Sequence, residues 1–225
     1  MQQKKTVFLD LDGTMTDSGQ GIINSFNYAL GKMGYGDLGD DPNWVVGPSL
    51  WESFTRFGLP QDQLDIAVSH YRDCYRGGEM LNNTLYDGIL DQMERLKSDG
   101  YSLCMATSKP IAYASEITAH FGLDALLDHQ FGSELDGTRT DKFDLLTYGL
   151  GQTGAQAENA IMVGDRHYDV LGAKQVGMPC LGALYGYGSR DELIAAGAVA
   201  VLNTAYDLSY AVRTYLPKGT SYDRH

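Results

Sequence analysis

Seven side chains, scattered along this sequence, are of types that could share one piece of chemistry. Asp10 and Asp12 close an apolar run in "VFLDLDGTMTD" (7–17). Thr107 and Ser108 end another in "YSLCMATS" (101–108). Lys142 opens "DKFDLLTYGLGQ" (141–152). Asp165 ends "NAIMVGD" (159–165), and Asp169 stands four residues on. Each has an ordinary reading. Asp12-Gly13 is a common turn pair, Asp165 could cap a helix and Asp169 could sit in its first turn, and Lys142 could be a surface lysine. A turn does not explain Asp10, however, because it lies inside the apolar run. A cation at a helix start also opposes the helix dipole. Taken together, four acids at two strand ends need a cation. Hard oxygen ligands of this kind suit Mg²⁺, which uses few carboxylates and keeps coordination room for a phosphate. The Thr107 hydroxyl and the backbone N–H groups after it, Ser108 included, can face an anion, and Lys142 supplies a point charge against phosphate.

The elements that must hold these residues follow from periodicity. Apolar, β-branched runs predict strands over 6–11, 101–108, 129–135, 159–165, 178–186 and 199–203. Helical spacing and glycine stops predict helices over 87–100, 111–122, 141–152, 169–177, 189–198 and 205–216. This alternation predicts an α/β fold, a Rossmann-like parallel sheet with helices on both faces. Ligands in such sheets bind outside the carboxyl ends of the strands, where the seven residues fall. Residues ~16–80 break the alternation and read as helical, with no strand. Asp17 or Ser18 could cap a helix containing Ile22, Phe26, Leu30 and Met33. Pro48, Ser49 and Glu52 fit the start of a second. Leu64, Val68, Tyr71 and Tyr75 form the stripe of a third. The expected organisation is a core of 1–15 and 82–225, with an all-helical cap, 16–81, inserted after the first strand. The tail 217–225 is expected to fray.

Composition narrows the function class. The 225 residues, 43% hydrophobic, are enough for a substantial core. The net charge of −12 argues against nucleic-acid polymers and anionic membrane surfaces as partners. Cys74, Cys104 and Cys180 are odd in number and far apart, as buried reduced thiols are. The start, "MQQKKTVFLD", lacks the long apolar stretch of a signal peptide, and no run of ~18 apolar residues predicts a membrane span. A reducing cytoplasm is the expected location.

In this order and spacing, "DLDGT", "TSK", a lone Lys142 and "GDRHYD" resemble the haloacid dehalogenase-like phosphohydrolases over nearly the whole chain. The helical insert looks like the cap of the phosphoglycolate phosphatase-like and β-phosphoglucomutase-like branch. "GDRHYDVLGA" with "LYGYGSRDEL" also resembles members described as 5′-nucleotidase-like. The resemblance implies Asp10 as nucleophile, forming an aspartyl-phosphate, and Asp12 as general acid, then base, with its backbone carbonyl on Mg²⁺. It implies Thr107 and Lys142 as holders of phosphate oxygens, Asp165 as metal ligand, and Asp169 as orienter of the metal's waters or support for Lys142. Physical chemistry agrees: a carboxylate attacking an anionic phosphoryl group needs its repulsion screened.

The expected activity is therefore hydrolysis of a small phosphorylated metabolite, phosphoglycolate or a nucleotide. Alternatives are a sugar phosphomutase and a non-enzymatic binding module on the same fold. A phosphonatase would need a Schiff-base lysine in the cap, where Lys32 stands alone. In the cap, Gly47 would allow close backbone approach and Ser49 could bond the substrate. Of the aromatics Trp44, Trp51, Phe54 and Phe57, one could stack on a nucleobase, while their spacing also fits the cap's own core. Arg166 and His167 would flank the metal acid, His167 in a rim or structural role rather than as a metal ligand. Oligomeric state stays open between monomer and weak dimer.

Overall fold

The computed structural model describes residues 4–218, so most of the tail expected to fray lies outside the described residues. β1 (Thr6–Leu9) is buried at every position. Its alternation shows why: Val7 and Leu9 enter one hydrophobic cluster and Phe8 the other, so both faces are covered. β1 pairs in parallel with β4 (Ser102–Pro110) on one side and β6 (Ala160–Gly164) on the other. β5 (His129–Ser133) flanks β4, and β7 (Cys180–Ala183) and β8 (Ala200–Leu202) continue beyond β6, giving the order β5-β4-β1-β6-β7-β8. The chain thus winds outward from β1 in one direction, then crosses to the other side. That reversal opens a crevice at the carboxyl ends of β4, β1 and β6.

One face is covered by α6 (Lys142–Thr153), α7 (His167–Gln175) and α8 (Arg190–Ala196), through Leu145, Leu146, Val170, Ala173 and Leu193. The other is covered by α4 (Ile89–Ser98), α5 (Ile111–His120) and α9 (Leu208–Tyr215), through Met93, Leu96, Ile117 and Val212. Between β1 and β4 the chain forms α1 (Gly19–Lys32), α2 (Leu50–Phe57) and α3 (Leu64–Arg76). Phe26 of α1 stacks on Phe54 of α2 at 4.1 Å between centroids and meets the edge of Tyr71 of α3 at 5.7 Å. Ser49 caps α2 by accepting from the Glu52 N–H at 3.2 Å.

The expectation of no strand in 16–80 needs correction. β2 (Thr16–Asp17) pairs antiparallel with β3 (Thr84–Leu85), a short ribbon at the root of the helical stretch. Two residues per strand are too few to show a period. Asp17 is consequently not a helix cap. It sits in β2, and its Oδ1 accepts from the Tyr187 hydroxyl at 2.6 Å, while that hydroxyl accepts from the Gly19 N–H at 2.6 Å. Tyr187→Phe removes both bonds and should cost about 1–2 kcal/mol, measured as a shift in urea midpoint with unchanged slope. An unchanged midpoint would show that the ribbon does not depend on this link.

Candidate active site

β1 ends at Leu9, and Asp10 continues its direction: its N–H donates to Val163 O of β6 at 2.9 Å, so the neighbouring strand still fixes it. Asp10 Oδ1 accepts from the Leu11 N–H at 2.8 Å. On the other side of β1, the register of β4 against β5 shifts between Thr107 and Pro110. Such a bulge re-aims side chains at a strand end. At the end of β6, Asp165 precedes α7. Asp169 lies in the first turn of that helix, where its Oδ2 accepts from the Arg166 N–H at 3.1 Å. Arg166, not Asp165, is the N-cap residue, so the capping role considered for Asp165 is not the one it has.

These placements bring one oxygen each from Asp10, Asp165 and Asp169 within 4.8 Å of one another, all three residues being buried. Lys142, at the start of α6, enters from below. Its Nζ lies 2.7 Å from Asp169 Oδ1, 3.4 Å from Asp10 Oδ1 and 3.0 Å from the Ala106 carbonyl. The Asp12 carboxylate points elsewhere: its Oδ2 pairs with Lys109 Nζ at 2.6 Å, and its Oδ1 is buried without a partner.

Burial dominates the electrostatics. It pushes the Asp10 carboxyl up to about 7; Lys142 opposes the rise, while Asp169 and Asp12 add to it. Burial, then Asp169 and Asp10, push Asp165 well above the usual carboxylate range. Burial alone would lower the Lys142 ammonium, but Asp10 and Asp169 outweigh it and hold it above its ordinary value. Lys142 thus stands between Asp10 and Asp169, while the charge that opposes the rise at Asp165 is that of Arg166. Asp165 Oδ2 accepts from the Tyr187 N–H at 2.8 Å, yet its Oδ1 is buried with no partner. An unsatisfied carboxylate oxygen in an all-oxygen cluster is what a hard divalent ion such as Mg²⁺ would satisfy, and these residues fit one.

The fit has a consequence for stability. A carboxyl raised from 3.8 to about 7 ionises in the unfolded chain first. Without an ion, the folded state loses stability as pH rises through that window, and a divalent ion restores it by competing with the proton. Mg²⁺ at about 10 mM should therefore raise Tm more at about pH 7.5 than at about pH 5. Equal gains at both pH values, or none, would remove the metal reading.

Above the acids lies a cavity of about 710 Å³, its solvent-filled mouth included. Asp10, Asp12, Thr107 and Ser108 line its floor; Gly47, Ser49, Trp51, Tyr71 and Tyr75 are among its walls. Two expected contacts are partly committed already. Ser108 Oγ donates to Thr140 O at 2.9 Å, and the Ser49 hydroxyl oxygen is the cap of α2. Of the four cap aromatics, Trp51 lines the cavity, while Phe54 belongs to the helices' own core. Lys32 is exposed near the Tyr28 ring and does not line the cavity, so it gives a Schiff-base reading no support. His167 faces Glu192 Oε1 through Nδ1 at 2.7 Å, a structural pairing.

The sequence reading gave no role to Lys109, whose Nζ also sits 5.0 Å over the Tyr75 ring. Its place directly after "TS" was the available signal. It treated Tyr71 and Tyr75 as packing only; both are buried, and both also line the cavity.

Comparison with known proteins agrees with this geometry. The family model described as haloacid dehalogenase-like hydrolase matches residues 7–183. A 5′-nucleotidase of Pseudomonas aeruginosa is 40% identical over 195 residues, covering 84% of this chain and 86% of its own. Tyrosine-protein kinase PtkA of Mycobacterium tuberculosis is 35% identical over 205 residues, covering 91% of this chain and 70% of its own. The crystal structure of a predicted phosphatase from Clostridium acetobutylicum superimposes with a TM-score of 0.90 at 37% identity, covering 94% of this chain and 99% of that one. Fold, match and relatives together show that the chain belongs to the haloacid dehalogenase-like hydrolase family, as a phosphoric monoester hydrolase.

Proposed function

We propose that the protein is a Mg²⁺-dependent phosphatase that hydrolyses a small phosphomonoester through an aspartyl-phosphate on Asp10. The observation that carries this is the gathering of Asp10, Asp165 and Asp169, with Lys142 paired to the first and the last, beside an open cavity that Asp10 also lines. An Asp10 oxygen attacks phosphorus, and the ester oxygen leaves with a proton from Asp12. Water, deprotonated by Asp12, then attacks the phosphorus of the acyl phosphate and returns the Asp10 carboxylate. Thr107 donates to a phosphate oxygen from the cavity floor. Lys142, held by Asp169, keeps positive charge beneath the nucleophile. A bound Mg²⁺ would screen the repulsion between carboxylate and phosphoryl group, with Asp165 and the Asp12 carbonyl among its ligands. Residues 16–81 act as a cap that walls the leaving group, and 1–15 with 82–225 supply the chemistry. In a reducing cytoplasm Cys74, Cys104 and Cys180 would stay free, as they are here.

The walls favour a nucleoside monophosphate over phosphoglycolate. Trp51, Tyr71, Tyr75 and Tyr113 present aromatic surface to a leaving group. The two cations in the lining are engaged: Lys109 with Asp12, and Arg72 with Leu135 O and the Trp51 ring. A second anion on the leaving group finds little free charge to meet. The 5′-nucleotidase name of the 40% identical relative points the same way.

The test is a panel of phosphate esters, with nucleoside monophosphates and phosphoglycolate side by side, each with Mg²⁺ and with EDTA. Free phosphate should appear one for one with ester consumed, fastest for nucleotides, and chelation should abolish it. Turnover that survives chelation would overturn the metal-dependent reading. Phosphate delivered to a second sugar position or to a peptide tyrosine, with none released, would make the protein a transferase.

A further inference from the structure

Arg166, His167 and Tyr168 separate the two acids at the end of β6, and the first and last of them reach away from the acids towards the helical segment. Arg166 Nη1 donates to the Val46 carbonyl at 2.6 Å, a buried contact between residues 120 positions apart. Its Nε donates to Glu192 Oε1 at 2.9 Å, and the same oxygen accepts from the His167 N–H at 2.9 Å. These bonds hold the Glu192 carboxyl down at about 2 against the upward push of its own burial. Tyr168 Oη, in the first turn of α7, donates to Glu52 Oε1 at 2.6 Å, so a second residue of this stretch reaches the helical segment, here at α2. Gly47, at φ +108°, packs so near Arg166 that a Cβ there would stand 3.0 Å from its Cγ.

The gripped segment matters because Gly47, Pro48, Ser49 and Leu50 form one wall of the cavity. Residues 46–49 lie between a 3₁₀ turn ending at Val45 and the start of α2, with no regular backbone ladder of their own. A buried, charge-assisted bond is among the stronger single contacts available to such a segment.

We propose that Arg166 is a positioning residue for leaving-group recognition: it ties the 46–49 wall to the junction of β6 and α7 that carries Asp165 and Asp169, and so sets that wall's height over Asp10. It touches no reacting atom. Its second anchor, Glu192, keeps the guanidinium aimed at Val46. The kinetic consequence rests on the phosphatase reading; the structural one does not. An ester large enough to lean on the wall loses contacts when the tether is cut, whereas a donor with a very small leaving group does not.

The experiment compares wild type with Arg166→Met, Arg166→Lys and Glu192→Gln on two substrates: the ester of the panel that wild type turns over best, and acetyl phosphate. Arg166→Met should raise KM for the larger ester about tenfold and change kcat on acetyl phosphate by less than about threefold. Arg166→Lys, which keeps the charge but only one reach, should fall between. An equal loss of kcat on both substrates would overturn the proposal, because Arg166 would then act through Asp165 and Asp169. Hydrogen exchange over 44–50 decides independently of any activity. Faster exchange there in Arg166→Met, and in Glu192→Gln should the first variant not fold, is the expected result; unchanged exchange refutes the tether. A wild type that turns over no ester sinks the phosphatase reading, and exchange then decides the tether alone.

Discussion

Asp10→Asn is expected to lower kcat by about four orders of magnitude or more while leaving the protein as stable as wild type or more so. The two halves of this result have separate causes. Asn has the shape of Asp and can still accept from the Leu11 N–H through its side-chain oxygen, so the backbone at the end of β1 has no reason to move. What it lacks is a carboxylate that can take up a phosphoryl group and release it to water. On the stability side, burial already pushes the Asp10 carboxyl up to about 7, with Asp169 and Asp12 adding to the rise. Near neutral pH the folded protein without an ion therefore spends free energy to keep that group charged, and the neutral amide relieves it. Lys142 loses one of its neighbours, but keeps Asp169 Oδ1 at 2.7 Å and the Ala106 carbonyl. Phosphate release and thermal midpoint, measured on one preparation, separate this from misfolding, in which both would fall. Residual turnover above about one per cent of wild type in the variant would move the nucleophile's role elsewhere.

What the sequence disclosed divides along a physical line. β1, β4 and β6 were legible because strands buried on both faces are continuous apolar runs, and Asp10, Asp12 and Asp165 were legible because each interrupts or ends such a run, with Asp169 four residues on. Winding order then put their ends side by side without any knowledge of side-chain contacts. The pairings were not legible. Lys109 stands in plain view after Thr107 and Ser108, yet its partner Asp12 is 97 positions away. Asp17 before a helix looks like a cap, and its actual partner, Tyr187, is 170 positions distant. Tyr71 and Tyr75 lie four apart on α3, a spacing that serves a core and a cavity wall equally well; Tyr71 packs on Phe26 of α1 while Tyr75 meets Lys109 and Tyr113 at the cavity, which makes them both. The ribbon of β2 and β3 escaped because a two-residue strand has no period to detect. Arg166 stands next to Asp165 in the sequence, but its hold on Val46 belongs to tertiary structure alone.

Lys142→Met should cost about 3–5 kcal/mol of stability near neutral pH, together with most of the activity. The reason is its position rather than its charge in general. The ammonium, 3% exposed, faces Asp169 at 2.7 Å and Asp10 at 3.4 Å, and Asp165 joins the same cluster. Met fills the space of the stem but leaves Asp10 and Asp169 without the cation that pairs with both, while Arg166 still acts on Asp165. The folded state can escape only by taking up protons, so the penalty must depend on pH. Asp10 is raised to about 7 even with Lys142 present, and removing a group that lowers it drives it higher still. Unfolded carboxyls ionise near 4. The variant's deficit should therefore be smallest below that value, grow as pH rises through 5 to 7, and be reduced by Mg²⁺. Asp169→Asn in the same background removes the acid closest to the lost charge. It should recover part of the stability without recovering turnover, since the positive charge beneath Asp10 is still missing. Urea titrations of wild type, both single variants and the double variant give the coupling between residues 142 and 169 directly. A coupling near zero, with a deficit that does not vary with pH, would mean that Lys142 acts as a space-filling residue, and that the charge balance at the end of β1 is set by something other than this lysine.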